Sequence, residues 1–187
     1  MLSETEIYGG LDLPFELGGT RLVESPFEKV ISVAPFKGQV MAVADVLRPA
    51  IGMILPPVGQ REVGEKASAF WYRPGQWLIF GEKDLMQNTC KALAGMAAVA
   101  DMSDAFIRVR LEGRGLTNVL SRICALDLTN VGDSGVAHTA LSDIPVTLFS
   151  VESSYELLLP RSFSQSAISR IKIAMRSSLA RDMIAEN

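Results

Sequence analysis

One histidine and two cysteines among 187 residues leave this chain little with which to build a reactive site. A single histidine cannot form a His-based metal pair, and Cys90 and Cys124 lack the CxxC spacing of a zinc or dithiol site. Neither Ser121 nor Ser162 lies in a G-x-S-x-G elbow. Gly113-Arg114-Gly115 lacks the further glycines and the lysine of a phosphate loop. Basic residues do not predominate: 18 Lys and Arg face 21 Asp and Glu, for a net charge of -3. A stripe able to neutralise nucleic-acid phosphates is therefore missing. The longest uncharged run, Pro49 to Gln60, contains three prolines and is too short to cross a bilayer. The start, Met1-Leu2-Ser3-Glu4-Thr5-Glu6, is acidic where a secretory signal is basic. The expected setting is cytoplasmic, with no nucleic acid and no membrane as partner. Thiols stay reduced there, so both cysteines read as small hydrophobes.

What the chain has is apolar surface. The hydrophobic fraction is 48% and the mean hydropathy is +0.23, high for a protein wetted on every side. The excess points to a surface buried against a partner. The length suits one duplicated unit that buries roughly 70% of the surface its unfolded chain exposes.

The order of local signals repeats. Residues 1–25 carry Gly9, Gly10, Pro14, Gly18 and Gly19 and read as an extended N-terminal arm. A strand is expected from Val30 to Phe36, then a helix with Val40, Val43, Ala44, Leu47 and Ile51 on one face. Pro56-Pro57 and Gly59 end it and open a charged loop, Arg61 to Lys66. Residues 68–73 and 76–80 flank Pro74-Gly75 as a hairpin, since proline presets φ and glycine accepts φ > 0. A helix from Asp84 to Gly95 closes the first half.

The second half opens on a strand, Asp104 to Leu111, with Ala105, Ile107, Val109 and Leu111 on one face and Asp104, Arg108 and Arg110 on the other. A helix through Leu116, Val119, Leu120, Ile123 and Cys124 follows. Strands at Val136–Leu141, Val146–Val151 and Tyr155–Leu159 lead to a last helix, starting at Ser162 with Gln165 completing a capping box. The expected fold is α+β: duplicated strand-helix-strand-strand-helix, ferredoxin-like units, mostly antiparallel sheet with helices on one face. A single duplicated domain is expected over residues 26–187, with halves at about 26–100 and 101–187.

Among candidate sites, His138 has no neighbouring group to poise it as a base, and reads as hydrogen-bonded in or beside the core. Asp101/Asp104 and Asp127/Asp133 occupy positions typical of turns and caps. The hairpin stands apart. Five of the thirteen aromatic residues (Phe70, Trp71, Tyr72, Trp77, Phe80) fall within it. Alternation sends Phe70 and Tyr72 to one face and Trp71 to the other. This is cross-strand packing, or else a partner hot spot with Trp71 or Trp77 as anchor and Arg73 on its rim.

Several blocks resemble the gamma subunit of heterotetrameric sarcosine oxidase. They are Trp71-Tyr72-Arg73-Pro74-Gly75-Gln76-Trp77-Leu78-Ile79-Phe80-Gly81, Ser103-Asp104-Ala105-Phe106 leading into Val109-Arg110-Leu111-Glu112-Gly113, and Leu120-Ser121-Arg122-Ile123-Cys124-Ala125-Leu126-Asp127-Leu128. His138-Thr139-Ala140-Leu141-Ser142-Asp143-Ile144-Pro145-Val146 and Leu157-Leu158-Leu159-Pro160-Arg161-Ser162-Phe163 continue it. The blocks follow the family's order over about residues 68–180. The resemblance implies a fold similar to the folate-binding domain of aminomethyltransferases, in a non-catalytic chain that serves assembly and stability. FAD, FMN, NAD, zinc and tetrahydrofolate would lie on other subunits and none in this chain, whose partners would be those subunits, chiefly the large alpha subunit. The implied complex oxidises sarcosine to glycine, passes the one-carbon unit to tetrahydrofolate and reduces oxygen to hydrogen peroxide. No catalytic or metal residue is carried over. The competing readings are a free-standing folate-binding or partner-binding module, and a small enzyme that uses His138.

Overall fold

The computed structural model describes residues 11–128 and 131–185, with side chains as far as Arg181. In chain order the elements are β1 (Phe15–Leu17), β2 (Thr20–Glu24), β3 (Lys29–Pro35), α1 (Val40–Ile51), β4 (Arg61–Val63), β5 (Ala67–Arg73), β6 (Gln76–Gly81), α2 (Lys83–Ala92), β7 (Ala97–Asp101), β8 (Phe106–Gly113), α3 (Leu116–Leu120), β9 (Val136–Leu141), β10 (Ile144–Val151), β11 (Ser154–Pro160) and α4 (Ser164–Ala185). The chain is α+β, with two mostly antiparallel sheets. Two compact units divide it: Phe27–Phe106 with Ser134–Ala137, and Met1–Pro26 with Ile107–Asp133 and His138–Asn187.

In the first of these units the sheet order is β4-β5-β6-β3-β7. Helix α1 lays Val43, Leu47 and Ile51 on the sheet face formed by Ile31, Val33, Ala67, Ala69 and Ile79, and Met86 of α2 joins them. Each of the valine, leucine, isoleucine and methionine side chains contributes about 1.5–3 kcal/mol by leaving water. The helix stops at Gly52, ahead of the expected Pro56-Pro57. Gly52 takes φ 75°, a left-handed conformation that costs glycine nothing, and its N–H closes on the Arg48 carbonyl. The expected loop 61–66 begins with a strand instead. β4 is an edge, where Arg61 and Glu62 are half-buried while the backbone pairs with β5. β7 carries little strand signal of its own, because Ala97-Ala98-Val99-Ala100 has weak strand propensity. Pairing with β3 makes it a strand.

The other unit has the order β9-β10-β11-β8-β2-β1. Helices α3 and α4 cover one face, and Leu116, Val119, Leu120, Ala167, Ile168, Ile171 and Met175 share a core with Val109, Leu111, Leu157 and Leu159. Residues 15–24 form a hairpin whose β2 pairs with β8. Helix α3 is shorter than expected. The regular helix ends at Leu120 and runs on as a turn, the Ile123 and Cys124 N–H groups both closing on the Leu120 carbonyl at 3.0 and 2.9 Å, before the Ile123 carbonyl accepts from the Ser142 N–H at 2.7 Å. The last α-helix begins at Ser164, after a 3-10 turn over Arg161–Phe163 that contains Ser162. Ser164 donates its hydroxyl to the Arg161 carbonyl at 2.8 Å.

Candidate protein-interaction site

The aromatic hairpin forms as the sequence predicts, β5 and β6 joined by Pro74-Gly75 with Gly75 at φ 73°. Trp71 lies opposite Trp77 across the ladder, and a bulge between Trp71 and Arg73 follows. Because Ala69 and Ile79 face α1, alternation places both tryptophans on that helix-covered side, near the turn of the hairpin. Both are half-buried. Trp77 is anchored from within, its Nε1 donating to the Pro56 carbonyl at 2.8 Å. The opposite face carries Phe70 and Phe80, centroids 4.8 Å apart, with Phe27 edge-on to Phe80 at 5.2 Å. Tyr72 meets Phe106 edge-on at 6.0 Å. Arg73 is exposed; its guanidinium stacks 4.6 Å from the Tyr72 ring centre and donates to the Tyr72 hydroxyl at 3.0 Å.

Further apolar surface lies near the tryptophans. Val33 pairs with Trp77, so the end of β3 and the start of α1 occupy the same end of the sheet. Phe36, Val40 and Met41 are exposed there, Met41 by 73%. Val58, two residues after the carbonyl that holds Trp77, is exposed by 74%. A half-buried tryptophan pair near such side chains presents large apolar groups that binding could desolvate.

The remaining candidates have structural surroundings. His138 stands exposed on β9, outside the core, with Nδ1 3.0 Å from the Thr147 hydroxyl on β10. Burial raises the thiol pKa of both Cys90 and Cys124, which keeps them protonated and weakly nucleophilic at neutral pH. Asp101 accepts from Lys29 and Ser103, and these bonds hold its carboxyl down to about 2. Gly113 is a packing position, φ 105°, where a Cβ would stand 2.1 Å from the Gly19 carbonyl oxygen. The Gly19 carbonyl also accepts from the Arg114 N–H, so β2 occupies the segment that superficially resembled a phosphate loop. Among the described residues no group of three or more His, Cys, Asp and Glu side chains is placed to hold a metal ion. No described helix is long and apolar enough to cross a membrane.

Sequence reasoning missed Glu156. It is 3% exposed on β11 and takes Arg108 at 3.2 Å, Arg110 at 2.7 Å and the Ser25 hydroxyl at 2.9 Å. Arg108 also donates to the Ser25 and Pro26 carbonyls, and burial lowers its guanidinium pKa. The arginines on the face of β8 opposite Ile107, Val109 and Leu111 therefore converge on one buried carboxylate. The available signal was a lone acid in Tyr155-Glu156-Leu157-Leu158-Leu159, opposed by two cations at alternate positions of one strand.

No family model and no curated protein matches the chain. Among solved structures it is similar to a chain of heterotetrameric sarcosine oxidase from Corynebacterium sp. U-96, solved with pyrrole 2-carboxylate. The two are 26% identical over 85% of each, with a TM-score of 0.76. It also shares the fold of glycine cleavage system aminomethyltransferase T from Bartonella henselae, at 13% identity and TM-score 0.61, over 82% of this chain and 45% of that one. The resemblance read from the sequence is thus borne out in three dimensions, and the α+β architecture with it.

Proposed function

We propose that this chain is the gamma-type subunit of a heterotetrameric sarcosine oxidase, serving assembly and stability and contributing no reacting group. The observation that carries this reading is the 26% identity maintained over 85% of both chains to a chain of such a complex. The half-buried Trp71 and Trp77, with Arg73 at the hairpin tip and exposed Phe36, Met41 and Val58 at the same end, supply a surface of the right chemistry for the large alpha subunit. The cofactors of the oxidation, FAD, FMN and NAD, together with zinc and the acceptor tetrahydrofolate, belong to the other subunits in this reading. The setting is cytoplasmic.

Coexpression with the alpha subunit and its companions tests the proposal. The chain is expected to copurify with alpha and to show no sarcosine oxidation alone, and omitting it should reduce the yield of active complex. A purified single chain that turns over sarcosine, or a complex that assembles equally well without it, would refute the proposal. The free-standing folate-module reading rests on fold alone. Calorimetric titration of the isolated chain with tetrahydrofolate is expected to give no binding.

A further inference from the structure

We propose that the cleft formed by α3, the turn after it and the C-terminal part of α4 binds a small molecule with an oxyanion head. The cleft has a volume of about 420 Å³ and is lined by Asn118, Ser121, Arg122 and Arg181, all within one compact unit. The cations of α4 divide into two groups. Arg170 is paired with Asp143 at 2.7 Å, Lys172 with Asp12 at 2.7 Å, and Arg176 lies over the Phe15 ring at 5.3 Å. Arg181, at the far end, is not among these pairs, and among the described residues no carboxylate forms an ion pair with it or with Arg122. Two guanidinium groups, neither in an ion pair with a described carboxylate, thus share one polar hollow in a chain whose net charge is -3. A planar guanidinium presents a fork of N–H donors that matches carboxylate and phosphate oxygens.

The walls narrow the ligand further. Arg122 is oriented before any ligand arrives, because its Nη1 donates to the Ser177 hydroxyl at 3.1 Å. Ser121 donates its own proton to the Asn118 carbonyl at 3.2 Å, which leaves the hydroxyl oxygen to accept. The Asn118 amide offers a donor and an acceptor. A fitting ligand therefore turns an anionic group to the arginines and a hydroxyl or amine to Ser121. The volume falls in the range of small-molecule sites and exceeds a bare anion. The class is a hydroxylated or aminated carboxylate, or a phosphate ester, whose shared chemistry is the oxyanion. This site is independent of the tryptophan hairpin.

Titration calorimetry and thermal shift on the full chain decide the matter, with inorganic phosphate in one arm and citrate in the other, each against chloride at matched ionic strength. Saturable binding with a dissociation constant of about 1 mM or tighter is expected in at least one arm. The arm that responds identifies the head group. Arg181→Ala should weaken binding about tenfold or more, and Arg181→Lys should recover only part of it, since lysine keeps the charge and loses the fork. Arg48→Ala, exposed, far from the cleft in sequence and in the other unit, should leave affinity unchanged. Arg181 is exposed, so its variants keep the wild-type melting temperature and report on the site alone. Absence of saturable binding in both arms, or equal affinity in wild type and Arg181→Ala, would overturn the proposal.

Discussion

Glu156 carries the heaviest electrostatic duty of any single residue described, since one buried carboxylate neutralises Arg108 and Arg110 and accepts from Ser25. Removing one partner of such a cluster strands a buried charge. Glu156→Ala is expected to lower the unfolding free energy by about 3 kcal/mol, read from urea denaturation. Glu156→Gln should cost less, because the amide still accepts from the guanidinium groups. Asp101 behaves differently. Its carboxyl is depressed to about 2 from 3.8 by the Lys29 and Ser103 hydrogen bonds. A depressed folded pKa adds stability that is complete above the unfolded value and lost as pH falls through the folded one. Because the Asp101 side chain is 55% exposed, screening limits this to about 1 kcal/mol or less. Melting curves of wild type and Asp101→Asn should differ slightly at pH 5 and converge near pH 2.

At the scale of elements, the pairing of β2 with β8 depends on a glycine. Gly113 stands opposite Thr20 at φ 105°, with the Gly19 carbonyl filling the space of a side chain. Gly113→Ala combines backbone strain with a clash against main chain, and should destabilise by about 3 kcal/mol or more in thermal denaturation. The hairpin β1–β2 was legible in part. Leu11, Leu13, Phe15 and Leu17 alternate with exposed residues, a period of two that the glycines around them obscured, and all four pack on the core of their unit. The hairpin β5–β6 was fully legible, because Pro-Gly between aromatic and β-branched runs dictates a turn by backbone chemistry alone. The early end of α3 was not, since the apolar spacing runs on through Ile123 and Cys124 while the Ile123 carbonyl pairs with Ser142, nineteen positions later.

Across the whole molecule the two units repeat one plan. Each sheet runs as a three-stranded meander, then the strand that precedes the first helix, then an antiparallel neighbour. That last place is taken by β7, which follows α2, in one unit, and by β2, from the N-terminal part of the chain, in the other. The prediction at this scale concerns assembly. Trp71→Ala should weaken copurification with the alpha subunit by about 2 kcal/mol if the tryptophan pair is the anchor. Trp77→Phe should also lose about 1 kcal/mol of the chain's own stability with its bond to Pro56. Unchanged copurification in both would remove the hairpin from the interface. Local chemistry, read along the sequence, determined the α+β class, the repeated order of elements, the turn at Pro74-Gly75 and the scarcity of reactive groups. Each follows from periodicity or residue type within a few positions. Only the tertiary structure decided that β7 is a strand, that β2 completes the second sheet, that Glu156 meets Arg108 and Arg110, and that Arg122 and Arg181 share a cleft. Those contacts join residues tens of positions apart, and burial and pairing across such distances leave no local pattern to read.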